Sequence, residues 1–543
     1  MSDESREGRA AWWIVFALAL AAGIFLRCWQ LGSQILLDDE WHAIQELLHA
    51  GYADIATHFG TNDYSIPLTL YYRFLFEHGG LGEWGMRWPM LACGIALIGI
   101  APWLLRKYAG GATLALWSGL LAISPLMVYH SRTARPYAIT TLLVFVAIAA
   151  FFEWWRKRER RWAALYVFST ALAAWLHLIS LPFTLLPFAY FGIAALWRGR
   201  AGIVDFTQLF LLGIVAALAL ALVLLPPMFT DMAALAGKSG HGQVFAGTIY
   251  RSLLLAMGIS SPWALAVLLV LAVYGAWSWW RRDAGLTGLL LAVVIGAASA
   301  VIVARPAWVQ HPGVLARYLQ PSLPFVLLFV AEGGACALRL LPPLARAPVG
   351  LSAIVALFLA GPIPGYAYFP NQFMGDAYFQ YDYDPRFNPL RTELAAAPIP
   401  DFYRRLSALP PASLTLVEAP WSIRSDQDPQ VLYQAVHRQR ILIGMVVPEC
   451  GALTYGQYAE NPGMRLRNFV HLSALLRGDT AGADFFVFHR KSWPQPLPAL
   501  FWPDTSACLP RIESSLGAPV YRDVDIEVFA LSAKAHALAQ TWQ

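Results

Sequence analysis

Runs of roughly twenty apolar residues, separated by short polar loops, fill the chain from its N-terminus to about residue 368. That length is what an α-helix needs to cross a bilayer. Eleven spans are predicted: 11–30, 86–105, 112–130, 136–155, 161–178, 179–197, 206–227, 261–280, 284–304, 318–341 and 349–368. The division between 161–178 and 179–197 rests on His177 and Pro182, which alone interrupt that run. From about 369 the pattern changes. Charge, Pro and Asn become more frequent. Short apolar runs at Ser413–Glu418, Ile441–Val447, Asp484–Phe488 and Ile526–Leu531 read as buried strands, with helices expected at 401–408 and 430–438. The predicted architecture is an α-helical polytopic membrane domain, 1–368, followed by a C-terminal α/β domain, 369–543.

Composition supports the membrane reading. Of 543 residues, 58% are hydrophobic and 13% charged, about half the charged share of a soluble domain. The 22 Trp fit as well, because Trp favours the membrane–water interface. The net charge of +5 is not a nucleic-acid signal, since the Lys and Arg of the helical part lie mostly in short inter-span loops. Arg106-Lys107, the block Arg156 to Arg161, Arg198 with Arg200, Arg281-Arg282, and Arg339 with Arg346 fall in alternate loops. The positive-inside rule then makes the N-terminus, with Arg6 and Arg9, cytoplasmic. Eleven spans put the first long loop, 31–85, and the C-terminal domain on the opposite, periplasmic side. The first span is read as a retained signal anchor rather than a cleaved peptide. No Asn-x-Ser/Thr sequon occurs, as suits a bacterial inner-membrane protein. Cys450 and Cys508 both lie in the C-terminal domain, in an oxidising compartment where pairing is open to them. No Walker loop, GxGxxG or metal-type Cys/His spacing is present.

The candidate chemistry begins where the first span ends. Asp38-Asp39-Glu40-Trp41-His42 places three successive carboxylates at the membrane boundary, where charges are costly and usually mark a site. One of them is expected to cap the helix that begins near Trp41. Three successive helical residues point about 100° apart, so capping cannot explain all three. On the same predicted side lie the few arginines that break the charge rule. Arg132 and Arg135 stand in Tyr129-His130-Ser131-Arg132-Thr133-Ala134-Arg135-Pro136-Tyr137, with Pro136 suited to the first turn of the next helix. Arg317 stands in His311-Pro312-Gly313-Val314-Leu315-Ala316-Arg317-Tyr318, and Arg87 opens the second span. Singly, each could snorkel to lipid headgroups. Together with the carboxylates they suggest a site for an anionic headgroup, since the guanidinium fork donates paired hydrogen bonds to phosphate.

These residues resemble the lipid-linked-sugar glycosyltransferases of the GT-C fold, and most closely the protein O-mannosyltransferase and aminoarabinose-transferase branch. An Asp-Glu pair just after the first span is that family's hallmark. Ile66-Pro67-Leu68-Thr69-Leu70-Tyr71-Tyr72 resembles its Pro-Pro-Leu-Tyr-Tyr stretch, with Ile66 and Thr69 departing from it. Gly82-Glu83-Trp84-Gly85-Met86-Arg87-Trp88-Pro89, Ser131 to Ala138, and Arg317-Tyr318-Leu319-Gln320-Pro321 resemble three further motifs in the expected order. The likeness covers roughly residues 10–340.

The resemblance implies transfer of a sugar from a polyprenyl-phosphate donor, with inversion, to an acceptor on the periplasmic face. The acceptor class stays open between glycan, lipid and protein. It implies Asp39 as general base with Glu40 as its partner, and phosphate binding by Arg135 and Arg317, with Arg132 and His130 next. Asp63, Tyr64 and Tyr318 are candidate acceptor or sugar contacts, and Arg87 is as readily structural, pairing Glu83 or a loop carboxylate. No cofactor is expected. Asp38, with its two neighbours, offers oxygen ligands for a hard divalent cation, but the mannosyltransferase branch implies none. The rival reading is a transporter or flippase of a lipid-linked sugar. Such proteins tend to hold their charges near the bilayer midplane on broken helices in repeated halves, and no repeat is visible here. A non-catalytic scaffold is a third reading, and it leaves the acidic cluster unexplained.

Overall fold

The structure, a computed structural model, describes residues 3–29, 31, 40, 47, 50–59, 65–78, 81–237, 240, 242–259, 261–361, 363, 399–420, 430–445, 469–490 and 508–542. Asp38, Asp39, Asp63, Tyr64 and Cys450 lie outside these residues.

Each of the eleven predicted spans overlaps helix, although 112–130 holds a bent pair of 13 and 7 residues and the last helix, Pro343–Ala360, begins six residues before the predicted 349. The helices that matter below are α1 (Asp3–Cys28), α2 (Glu83–Leu105), α3 (Gly111–Ile123), α4 (Pro125–Ser131), α5 (Tyr137–Lys157), α6 (Arg160–Leu176), α7 (Leu181–Trp197), α8 (Ile203–Gly237), α9 (Pro262–Trp280), α10 (Ala284–Ala304), α11 (Pro312–Leu319), α12 (Leu323–Leu338) and α13 (Pro343–Ala360). Among the described residues nine helices are long and apolar enough to cross a membrane, or ten if the bent pair α3 and α4 is one span. The eleventh segment, α6, has 17 residues, just under a full crossing. The protein is a multi-pass membrane protein with a C-terminal α/β sheet. Residues such as Phe210, Leu218, Leu222, Val270 and Val273 are exposed on α8 and α9, as lipid-facing positions should be.

Local sequence explains the breaks. Pro125 has no N–H to give Leu121 O, and α3 meets α4 at 60° there. His177 leaves the helical region at φ −163°, and a short 3-10 turn, Leu178–Ser180, separates α6 from α7. Glycines set the closest helix pair. A Cβ on Gly275 of α9 would lie 1.9 Å from Phe329 O of α12, and one on Gly333 would lie 2.0 Å from Leu271 O. Only two backbones without side chains fit at that spacing.

Charges at one end of the bundle pair with one another. Tyr108 donates to Glu153 at 2.7 Å, and Glu153 also binds Lys157. Arg156 meets Asp283 at 3.2 Å, while Arg158 and Arg198 share Asp205. The fully buried Glu332 takes Thr113 at 2.8 Å and also binds Arg282. The loops that follow α2, α5, α7 and α9 supply most of these groups, so the basic loops that the charge rule grouped do gather together.

Contacts divide the chain into two compact units. One comprises 1–29, 50–70 and 87–362, and the other 30–49, 71–86 and 363–543. Two pieces of the first long loop thus belong with the C-terminal residues. In the second unit the strands are β1 (Thr415–Ala419), β2 (Arg440–Met445), β3 (Phe469–His471), β4 (Phe485–His489), β5 (Tyr521–Arg522) and β6 (Ile526–Ala530). Their order is β3-β2-β1-β4-β6-β5, with the first four parallel and β6 and β5 antiparallel to their neighbours. All four predicted strands and both predicted helices are present, the helices as α14 (Asp401–Ser407) and α15 (Gln430–His437). β3 and β5 were not expected, being three and two residues long.

One face of the sheet packs Val417, Phe486, Phe488 and Phe529 against α16 (Leu472–Leu476) and α17 (Leu509–Leu516). The other packs Leu416, Phe485, Val487 and Val528 against α14, α15 and α18 (Ala533–Gln540). Cys508 is buried and disulfide-bonded, whereas Cys28, Cys93 and Cys336 carry free thiols.

Candidate active site

The end of α1 that leads into the acidic run is held by two arginines, each capping another helix. Arg27, 1% exposed, donates to Leu121 O at 3.1 Å and Ala122 O at 2.9 Å, and its Nε donates to Ser131 Oγ at 3.2 Å. The two carbonyls belong to the last turn of α3, and Leu121 O is the one that Pro125 cannot serve. In return Arg132, also 1% exposed, donates through Nη1 to Leu26 O at 3.1 Å and Arg27 O at 3.0 Å, in the last turn of α1. Helix C-termini carry partial negative charge, so each guanidinium is attracted as well as hydrogen-bonded. Gly94 makes room, since a Cβ there would fall 1.9 Å from Ser131 Oγ. The result ties α1, α3 and α4 together at one depth.

The loop that follows Arg132 carries Arg135, while Arg87 lies in the first turns of α2. Pro136 is the residue just before α5 rather than within its first turn. Arg135 is 4% exposed, and Arg87 is fully buried. These arginines do not snorkel to lipid from the protein surface, because their side chains lie inside the packed unit.

Tyr137 is the hub of the site. Its ring centroid lies 4.8 Å from that of His130 and 5.4 Å from that of His177. The guanidinium of Arg317 sits over Tyr137 at 5.1 Å and over Tyr318 at 5.7 Å, both within cation–π range. His177 in turn lies 6.0 Å from Tyr318. Four helix ends contribute: the end of α4, the start of α5, the break after α6 and the last turn of α11. His177 Nδ1 accepts the Ile179 N–H at 3.3 Å, which assigns the neutral ring its proton on Nε2. Burial, and then the charge of Arg317, pull the His311 pKa below its ordinary value. His311 is therefore a neutral neighbour at pH 7 rather than a further cation.

The predicted residues divide as follows. His130, Arg132, Arg135, Arg317 and Tyr318 all lie in the first unit. The ring and cation–π contacts join His130, Arg317 and Tyr318 through Tyr137 and His177. Arg132 has one nitrogen committed to α1. Glu40 is fully buried and belongs to the second unit, as does the fully buried Glu83. Among the described residues no group of three His, Cys, Asp or Glu side chains is placed to hold a metal. Sequence reading missed Arg27, Tyr137 and His177 as members. Arg27 had a signal, being a lone cation in the last turn of an apolar span. His177 showed itself only as a break in a run.

No protein-family model matches the chain, and none of the curated proteins does. Solved structures are similar in fold. The apo structure of ArnT from Cupriavidus metallidurans is 14% identical, with a TM-score of 0.49, covering 97% of this chain and 99% of that one. The same protein bound to undecaprenyl phosphate is 13% identical, with a TM-score of 0.45 and coverage of 96% and 98%. The arabinofuranosyltransferase AftD from Mycobacteria is 15% identical, with a TM-score of 0.41, covering 97% of this chain and 42% of its own. These are GT-C glycosyltransferases, the family whose motifs the sequence resembles.

Proposed function

We propose that the chain is a membrane glycosyltransferase that moves a sugar from a polyprenyl-phosphate donor to an acceptor on the periplasmic face, with inversion. The observation that carries this reading is the arginine–aromatic cluster at one end of the helical bundle. Arg317, Tyr137, His130, His177 and Tyr318 meet beside the helix ends that Arg27 and Arg132 latch to α1. Asp38-Asp39-Glu40 begin ten residues after the end of α1 in the sequence.

The chemistry asks little more. A polyprenyl phosphate leaves as an anion, so the transition state needs fixed cations where that charge develops. Arg317 and Arg135 are assigned to it, with Arg132 and His130 beside them. The acceptor hydroxyl attacks the anomeric carbon from the opposite face, and the glycosidic bond to phosphate breaks. Asp39 takes the hydroxyl proton as general base, with Glu40 orienting the acceptor or pairing an arginine. Asp63 and Tyr64, with Tyr318, are assigned to sugar or acceptor.

Undecaprenyl phosphate, the lipid held by one similar structure, is the natural probe. Arg317→Ala should weaken its binding in nanodiscs at least tenfold. Asp39→Asn should abolish transfer and leave lipid binding intact. Normal transfer by Asp39→Asn would refute the base assignment. Lipid flipping by the purified protein without any transfer would favour the transporter.

A further inference from the structure

Between α8 and α9 the chain forms a helix, Ala246–Met257, that does not cross the membrane. Its 12 residues span about 18 Å, well short of a bilayer. Both flanking helices are long and apolar enough to cross, so this one lies at a membrane boundary. Its polarity is the reverse of a helix on a soluble protein. Ala246, Ile249 and Tyr250 are exposed and share a face with the half-buried Leu253, whereas Thr248 and Ser252 are buried on the opposite side. An apolar face turned outward and hydroxyls turned inward suit lipid, not water, as the surroundings.

Both hydroxyls face the start of α11, the helix that carries Arg317. Thr248 Oγ1 donates to Gln310 O at 3.1 Å, giving its proton to another element. Ser252 Oγ, one turn further on, lies 2.9 Å from Pro312 O and 2.7 Å from Thr248 O, so its single proton is shared between the two. Gln310 and Pro312 stand at the N-terminus of α11, and Arg317 stands in the last turn of that eight-residue helix. The opposite side of α11 is held by apolar contact: Leu315 packs with Val301 and Val309, and Ile179 and Tyr318 close around them. Apolar contact is non-directional and tolerates sliding or rotation, whereas a hydrogen bond does not. The far end of the boundary helix is fixed as well. Its C-cap Gly258 is left-handed at φ +70°, and a Cβ there would fall 2.5 Å from Pro125 Cδ. The helix thus runs from the break that Arg27 caps to the segment that leads into Arg317.

We propose that Thr248 and Ser252 are positioning residues for Arg317: through Gln310 O and Pro312 O they fix the first turn of α11, and so hold the guanidinium of its last turn over Tyr137. What Arg317 binds rests on the transferase reading, whereas the placement of α11 does not. Neither residue touches the phosphate. Each acts through the backbone of α11, which moves as one piece because its own hydrogen bonds, such as Leu315 N–H to His311 O at 3.0 Å, tie turn to turn.

The test titrates undecaprenyl phosphate into the full chain in nanodiscs. Thr248→Val keeps the shape and removes the donor, and Ser252→Ala removes the second hydroxyl. Each should weaken binding about three- to tenfold, the range of one directed hydrogen bond, with the melting temperature preserved. Thr248→Ser should restore wild-type affinity, which a packing role of the threonine methyl would not allow. In the Arg317→Ala background, Thr248→Val should cost less than about twofold more, because a residue that acts through Arg317 is not additive with its loss. Full additivity, or unchanged affinity in both single variants, would overturn the proposal. If Thr248→Val does not fold, Ser252→Ala carries the same cycle. Hydrogen exchange across 313–319, measured without lipid, should quicken when both hydroxyls are removed, and unchanged exchange would also overturn the proposal. Exchange that quickens in a protein that binds no undecaprenyl phosphate would refute the transferase reading and leave the placement of α11 supported.

Discussion

Removing Arg27 tests the claim that two arginines set the geometry of the site. Its guanidinium serves Leu121 O and Ala122 O, carbonyls of a helix end that Pro125 interrupts. Gly23 O also accepts from it but lies within α1, and Ser131 Oγ has a second partner in Met127 O at 2.6 Å. Arg27→Leu therefore strands two buried acceptors. At about 1–3 kcal/mol for each unsatisfied group, the loss is roughly 2–6 kcal/mol. Part is regained because a buried charge is removed as well. Arg27→Lys keeps the charge but offers no planar fork to two carbonyls and a hydroxyl, so an intermediate loss is expected. The assay is unfolding in mixed detergent–SDS micelles, followed by tryptophan fluorescence, with lipid binding measured on the folded fraction. Equal stability of Arg27→Leu and wild type, within about 1 kcal/mol, would refute the capping argument. Lipid binding should also fall in Arg27→Leu, because Ser131, next to Arg132, loses the side chain that ties it to α1.

Other outcomes follow from the same structure. Gly333→Leu should cost at least the ~3 kcal/mol of severe overpacking, measured by the same unfolding assay, because its Cβ would meet the Leu271 backbone rather than a yielding side chain. His437 has its pKa pushed down to about 3 by burial. Between that value and the unfolded value near 6.5, the unfolded chain binds the extra proton. Stability of the C-terminal unit should therefore be complete above about pH 6.5 and fall toward pH 3, by up to roughly 1.4 kcal/mol per unit. His437→Gln should flatten that slope in a pH series of thermal melts, and an unchanged slope would remove His437 as its source. Tyr137→Ala removes the ring under Arg317 and should weaken undecaprenyl phosphate binding severalfold in a nanodisc titration, and unchanged binding would remove the ring from the site.

Much of the fold was legible because hydropathy at this scale leaves few alternatives. A run of twenty apolar residues must bury its backbone hydrogen bonds, and the helix is the local way to do it. The four apolar runs of the C-terminal domain announced β1, β2, β4 and β6 for a similar reason, since short continuous runs suit a strand buried on both faces, and β4 and β6 are buried at every position. β3 and β5 were not legible, because two or three residues carry no periodicity. The motif order also brought His130, Arg132, Arg135, Arg317 and Tyr318 into view.

Residue types, helices and the order of the loops were thus in the sequence by itself. Which partners each charge would find was decided by tertiary structure. Arg132 reads as a candidate phosphate ligand, and the fold adds that its Nη1 caps α1, through carbonyls more than a hundred residues away in sequence. Arg27 and His177 became site residues only when the breaks at Pro125 and His177 brought distant helix ends together. Glu418 and His489 were unremarkable in their strands until parallel pairing of β1 with β4 brought the carboxylate to 2.7 Å from the imidazole. Hydrogen bonds act over about 3 Å and sequence separation does not measure that distance, so only the folded chain could choose these pairs.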